Sequence, residues 1–167
     1  MKKKLLALVL ASAMALGLAA CGSTNKGGSS ASGSAKSTKA IQEISCSDDA
    51  YYHFYPLIGG DKEQKHFAAI YLNTKGRPIK KSIISIGTID MSPVHPRDVF
   101  RDAVKVNAAC IIIAHNHPSG VLSPSRDDID LTRRMIECGE LMGVKVLDHL
   151  IIGNSGFLSL KSEGLFD

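Results

Sequence analysis

Residues 108–114, Ala-Ala-Cys-Ile-Ile-Ile-Ala, place seven apolar side chains in succession with no polar interruption. A strand with one face in water alternates polar and apolar residues. An unbroken run is the pattern of a strand buried on both faces. Such a strand belongs inside a sheet that is covered on either side, and the segments around it supply the cover.

Ile44 to Ile58 carries apolar residues at helical spacing after a Ser/Asp start, and Gly59-Gly60-Asp61 breaks it. His66 to Asn73 is rich in strand formers. Thr74 to Pro78 reads as a turn, and Ile79 to Gly87 as the returning strand of a hairpin. Pro96 suits a first helical turn, with Val99, Phe100, Ala103, Val104 and Val106 as the apolar face that follows. Beyond the central run, Leu131, Met135, Cys138 and Met142 form a helical stripe that ends at Gly143. Val144 to Gly153 and Phe157 to Leu160 read as closing strands. The order helix, two strands, helix, strand, helix, two strands predicts an α/β fold, a three-layer α/β/α arrangement around a mixed sheet. No internal repeat is present, and 167 residues suffice for one domain with a real core.

The N-terminus has a separate character. Lys2 to Lys4 form a positive region, Leu5 to Leu18 an apolar stretch short for a membrane span, and Leu18-Ala-Ala-Cys21 follows. This is similar to a bacterial lipoprotein signal over residues 1–20, with Cys21 as the lipidated first residue. An uncleaved N-terminal anchor is the other reading. Residues 21–43, dominated by Gly, Ser, Ala and Lys, are expected to be a flexible tether, leaving residues 44–167 as the folded domain. The expected address is the extracytoplasmic face of the cell membrane, with the membrane engaged only through the N-terminal lipid. The cytoplasm is the alternative, should the leader be a gene-level fusion. Cys46, Cys110 and Cys138 favour that alternative: they are odd in number and lack CxxC spacing, a pattern at home in a reducing compartment. Without the leader's three lysines the formal charge of +4 falls to +1, and Trp is absent. Both facts argue against a nucleic-acid surface.

The chemistry concentrates in residues 114–128, Ala-His-Asn-His-Pro-Ser-Gly-Val-Leu-Ser-Pro-Ser-Arg-Asp-Asp. If the apolar strand continues to His117, then His115 and His117 point to one face, because side chains alternate with period two. Ser125 and Asp128 have the Ser-x-x-acid form of a helix start, Ser125 as N-cap and Asp128 at N3. Hydrogen-bonded structural histidines and a plain capping box would account for these residues one at a time. Together, two histidines and a carboxylate make three ligands with one open position, the layout of a catalytic zinc site.

His115, His117, Ser125 and Asp128 match His-x-His-x(7)-Ser-x(2)-Asp, which resembles the JAMM/MPN+ metalloprotease motif. The flanks "SIGTIDMSPVHPRDVFRDAVKVNAACIIIAHNHPSG" and "LDHLIIG" resemble the RadC-type JAB domain of bacteria more closely. The resemblance spans about residues 44–167. It implies a cytidine-deaminase-like JAB/MPN fold and one zinc ion on His115, His117 and Asp128. Ser125 would act as oxyanion donor. The implied activity is that of a zinc metallopeptidase or isopeptidase, zinc-bound water attacking an amide of a peptide or protein substrate. The family name also carries an association with DNA repair.

One position departs from the pattern. The family mechanism uses a glutamate at the start of the first strand as general base, and this chain has Lys65 there, in "DKEQKHFAAIYLN". A charged lysine accepts no hydrogen bond and is repelled by a zinc ion. Glu63 is the candidate substitute base, provided the register shifts to bring it in. A zinc-binding JAB domain with impaired catalysis is the alternative. His149 is expected to be a hydrogen-bonded structural residue. His53 and His66 lack ligand-like spacing, and His95, close to a helix start, is not counted among the site residues.

Overall fold

A computed structural model describes residues 43–60, 63–87 and 94–166. The leader, Cys21 and the tether up to residue 42 lie outside the described residues. No described helix is long and apolar enough to cross a membrane.

The elements follow the expected order: α1 (Ser47–Ile58), β1 (His66–Leu72), β2 (Pro78–Ile86), α2 (Pro96–Lys105), β3 (Cys110–Asn116), α3 (Arg126–Met142), β4 (Lys145–Ile152) and β5 (Phe157–Ser159). The strands form one mixed sheet in the order β2-β1-β3-β4-β5. The β3–β4 pair is parallel and spans α3, whereas β1 runs antiparallel to both β2 and β3. The apolar run thus occupies the centre of the sheet.

Strand alternation divides the core in two. Phe67, Ala69, Tyr71, Ile111 and Ile113 pack with Val99, Phe100 and Ala103 of α2 and Met135 of α3. Ala68, Ile70, Leu72, Ile112 and Ala114 face the other way, onto Ala50, Phe54 and Ile58 of α1. The result is the three-layer α/β/α arrangement, with α1 on one face and α2 and α3 on the other. Edge strand β2 leaves Ile79, Ile83 and Ile86 exposed.

The face of α3 corrects the sequence reading. The stripe Leu131-Met135-Cys138-Met142 does not form the buried line, since Met142 is exposed and Leu131 and Cys138 are only partly covered. The buried line is Asp128, Thr132, Met135 and Gly139. The helix is rotated so that its first two turns present polar groups to the sheet. At its other end Gly139 lies so close to β4 that a Cβ would sit 2.6 Å from the carbonyl oxygen of Val144. Helix α2 shows a smaller departure: Val99, Phe100 and Ala103 are buried, but Val104 faces solvent.

Candidate metal centre

β3 carries the apolar row of Ile111 and Ile113 onward to His115, opposite Phe67 of β1, so the first histidine continues the buried, α3-facing row. Its ring stacks on Phe67 at 6.4 Å and meets His149 edge-on at 4.9 Å. His117 follows just beyond the strand, its N–H donating to the Ile152 carbonyl at 2.9 Å. The chain then turns at Gly120, whose φ of +75° suits glycine. This turn brings the Val121 carbonyl to 2.6 Å from Nδ1 of His117.

Asp128 arrives from the opposite layer, on the first turn of α3. Ser125 is the N-cap of that helix, and the capping box is complete. The Asp128 N–H donates to Ser125 Oγ at 3.2 Å, and Asp128 Oδ2 accepts from Ser125 N at 2.9 Å. The Ser125 hydroxyl itself donates to Oδ2 at 2.6 Å. The box that starts the helix therefore also orients the carboxylate.

These elements bring His115, His117 and Asp128 together, with one ligand atom from each within 4.8 Å of the others. The two Nε2 atoms are 2.9 Å apart. Nε2 of His115 lies 3.2 Å from Asp128 Oδ1, and Nε2 of His117 lies 3.4 Å from Oδ2.

The partners of the other ring nitrogens decide where the protons are. The carbonyl of Asp128 can only accept, so the Thr132 hydroxyl, 2.6 Å away, donates to it. With its one hydrogen committed, Thr132 Oγ1 accepts from Nδ1–H of His149, also at 2.6 Å. Burial holds the pKa of His149 down to about 3, against the pull of Asp128, so the ring is neutral and its Nε2 is bare. That nitrogen accepts from Nδ1–H of His115 at 2.8 Å. Burial, and next the neighbouring His149, hold His115 well below the usual histidine range, so its Nε2 carries a lone pair. His117 must donate Nδ1–H to the Val121 carbonyl, and its neutral form likewise bares Nε2. Two lone pairs and a carboxylate then face one point, where a metal ion would meet three ligand atoms. This donor set fits a divalent cation of the zinc type.

Asp128 stays ionised. Burial opposes its charge, but the hydrogen bond with His117, the neighbouring His115 and the Ser125 donors hold its pKa far below the usual carboxylate range.

Lys65 stands at the position where the resemblance implied a glutamate. β1–β3 pairing sets Phe67 opposite His115, and Lys65 lies two residues before Phe67. The register is firm. Asn116 accepts from the His66 N–H at 2.6 Å and donates to the Gln64 carbonyl at 3.1 Å, and the Lys65 carbonyl accepts from Gly87 N–H at 2.8 Å. The Lys65 ammonium donates to Asp128 Oδ1 at 3.0 Å. Glu63 is exposed in the bend before β1, and the hydrogen bonds and ion pairs of the cluster do not include it. The register shift that would have brought it in does not occur.

His149 and Thr132 were not expected near the ligands. The available signal was Thr132 one helical turn after Asp128, on the same face. His149 fits its expected structural role in part: its N–H is held by the buried Asp148 carboxylate at 2.7 Å, while its ring serves His115. His66 bonds locally to the Gln64 carbonyl, and His95 is the N-cap residue of α2 without a side-chain cap bond. Cys46, Cys110 and Cys138 are free thiols.

Residues 44–165 match the family described as RadC-like JAB domain. The chain is 56% identical over 101 residues to a UPF0758 protein of Geobacillus sp. strain WCH70, covering 60% of this chain and 45% of that one. It is 53% identical over 105 residues to a UPF0758 protein of Desulforamulus reducens, covering 63% and 46%. Against the UPF0758 protein YsxA of Bacillus subtilis it is 54% identical over 101 residues, covering 60% and 44%. The matched region spans a little under half the length of these relatives.

Proposed function

The chain belongs to the RadC-like JAB domain family, in the JAMM-like hydrolase superfamily, and on that footing we propose that it is a zinc-dependent hydrolase of peptide or isopeptide amides. His115, His117 and Asp128 would hold one Zn²⁺. The observation that carries this reading is the chain of hydrogen bonds from Thr132 through His149 to His115, which bares Nε2 of His115 toward the same point as His117 and Asp128. When bound, zinc polarises an amide carbonyl and makes water acidic enough to ionise near pH 7.

The chain's own residues supply the rest. Phe67 and the buried wall exclude water behind His115, so solvent meets the cluster on the side of His117 and Lys65. The Ser125 hydroxyl is the oxyanion donor of this proposal, a role it takes by turning from Asp128 toward the substrate. In this reading the substrate is a peptide or protein, and Cys21 carries the lipid that anchors the domain outside the cytoplasm.

One observation favours a second reading. With Lys65 on Asp128 and Glu63 turned to solvent, no carboxylate other than Asp128 contacts the ligand cluster among the described residues. A zinc-binding JAB domain of impaired catalysis agrees with this.

Zinc stoichiometry of the full chain, beside its His117→Ala variant, tests the proposal. One zinc per chain, lost in the variant, is the expected result. Folded protein that takes up no zinc, with Lys65 present or replaced by Gln, would overturn it. A zinc-loaded chain that leaves a broad peptide library intact would decide for the second reading.

A further inference from the structure

Access to the metal centre is unevenly distributed. The side chains of His115 and Asp128 are 1% and 4% exposed, whereas those of His117 and Lys65 are 14% and 17% exposed. A ligand approaching the open position therefore passes an imidazole and an ammonium. That ammonium is not a chance rotamer on a loose segment. Its backbone is fastened on both sides by Asn116 and across by Gly87, and its Nζ lies 3.0 Å from Asp128 Oδ1.

Two consequences follow from charge alone. Before a metal enters, Lys65 neutralises Asp128, the single anionic ligand of the set. A divalent cation entering the set must share that carboxylate with the ammonium and bear its repulsion at close range in a poorly hydrated place. Once a metal is present, the mouth carries excess positive charge, and a ligand that brings its own negative charge relieves it. A neutral amide does not.

We propose that Lys65 determines ligand preference at this site: it opposes binding of zinc alone and favours zinc together with a ligand bearing a carboxylate at the open position. The inference rests on the zinc reading above and assigns it a substrate class, amide compounds with a carboxylate beside the group presented to zinc. A peptide near its C-terminus, or one with an acidic side chain, has this form. Lys65 thereby replaces a proton acceptor with an anion receptor, and the metal and the anion bind cooperatively.

The experiment is a linkage measurement on the full chain, with free Zn²⁺ set by a competing chelator and acetate as the probe anion. The wild type is compared with Lys65→Gln and Lys65→Met, two neutral side chains of similar length. Each variant is first shown to melt cooperatively. Both should bind zinc alone about tenfold more tightly than the wild type, or better still. Acetate should raise the zinc affinity of the wild type several-fold more than that of either variant. Equal zinc affinity in all three chains overturns the inference, as does an equal response to acetate, and both leave zinc binding itself intact. Absence of zinc binding in all three overturns the zinc reading, and this inference with it.

Discussion

His149 has its proton on Nδ1 because Thr132 has nowhere else to send its own hydrogen, and this single constraint passes to His115 and bares its Nε2 toward His117 and Asp128. The same burial has a measurable cost at low pH. The folded chain holds His149 near pKa 3, well under the ordinary 6.5, so between those values the unfolded chain takes up a proton that the folded one refuses. Its stabilising contribution is complete above about pH 6.5 and is lost as pH falls toward 3. His115 shifts in the same direction. Urea titrations between pH 4 and 6 should therefore show stability rising with pH. His149→Gln should reduce that slope by up to about 1.4 kcal/mol per pH unit, the value for one proton. An unchanged slope in the variant would mean that another group refuses the proton.

At the scale of elements, the start of α3 serves two purposes that compete for one side chain. Ser125 Oγ accepts from the Asp128 N–H as a cap and donates to the Asp128 carboxylate as an orienting group. Ser125→Ala removes both bonds while the backbone bond from Ser125 N to Oδ2 remains. The expected loss is about 1 kcal/mol of stability, the usual value of a cap, read as a lower urea midpoint. Zinc affinity should fall as well, because Asp128 gains freedom to leave the ligand position. A variant as stable as the wild type would show that the backbone bond alone sustains the helix start. The rotation of α3 belongs to the same scale. Its early turns bury Asp128 and Thr132 instead of Leu131, because the ligand cluster, and not the apolar core, lies beneath them.

Across the whole molecule, the sheet separates stability from chemistry. Phe54 is fully buried on the α1 side, remote in the packing from the ligand cluster, whereas Phe67 on the other face lies against His115 and His149. Truncating either to Ala should cost about 3–5 kcal/mol. Their effects on the metal should differ: Phe54→Ala keeps its zinc affinity below its melting temperature, and Phe67→Ala binds zinc more weakly because His115 loses its wall. Parallel melts and zinc titrations check this, and equal weakening in both would show the two faces to be coupled.

The elements, the mixed three-layer class and the gathering of His115, His117 and Asp128 were all legible along the chain. Each of these rests on short-range regularities: an unbroken apolar run, alternation along β3, a capping box at fixed spacing. Lys65 stood out as a departure only through the resemblance to the RadC-type JAB domain, which implies a glutamate two residues before Phe67. What surrounds these three side chains came from the packing of distant segments. The Lys65–Asp128 ion pair joins residues 63 positions apart, and the His115–His149 bond joins residues 34 apart. No local period reports such distances. The buried face of α3 was equally beyond the pattern, since hydrophobicity predicts which residues avoid water but not which polar ones a neighbouring site will bury and satisfy. Glu63 failed for the reverse reason. Its nearness in sequence suggested a place beside the cluster that the hydrogen bonds of Asn116 and Gly87, which set the register of β1's approach, give to Lys65 instead.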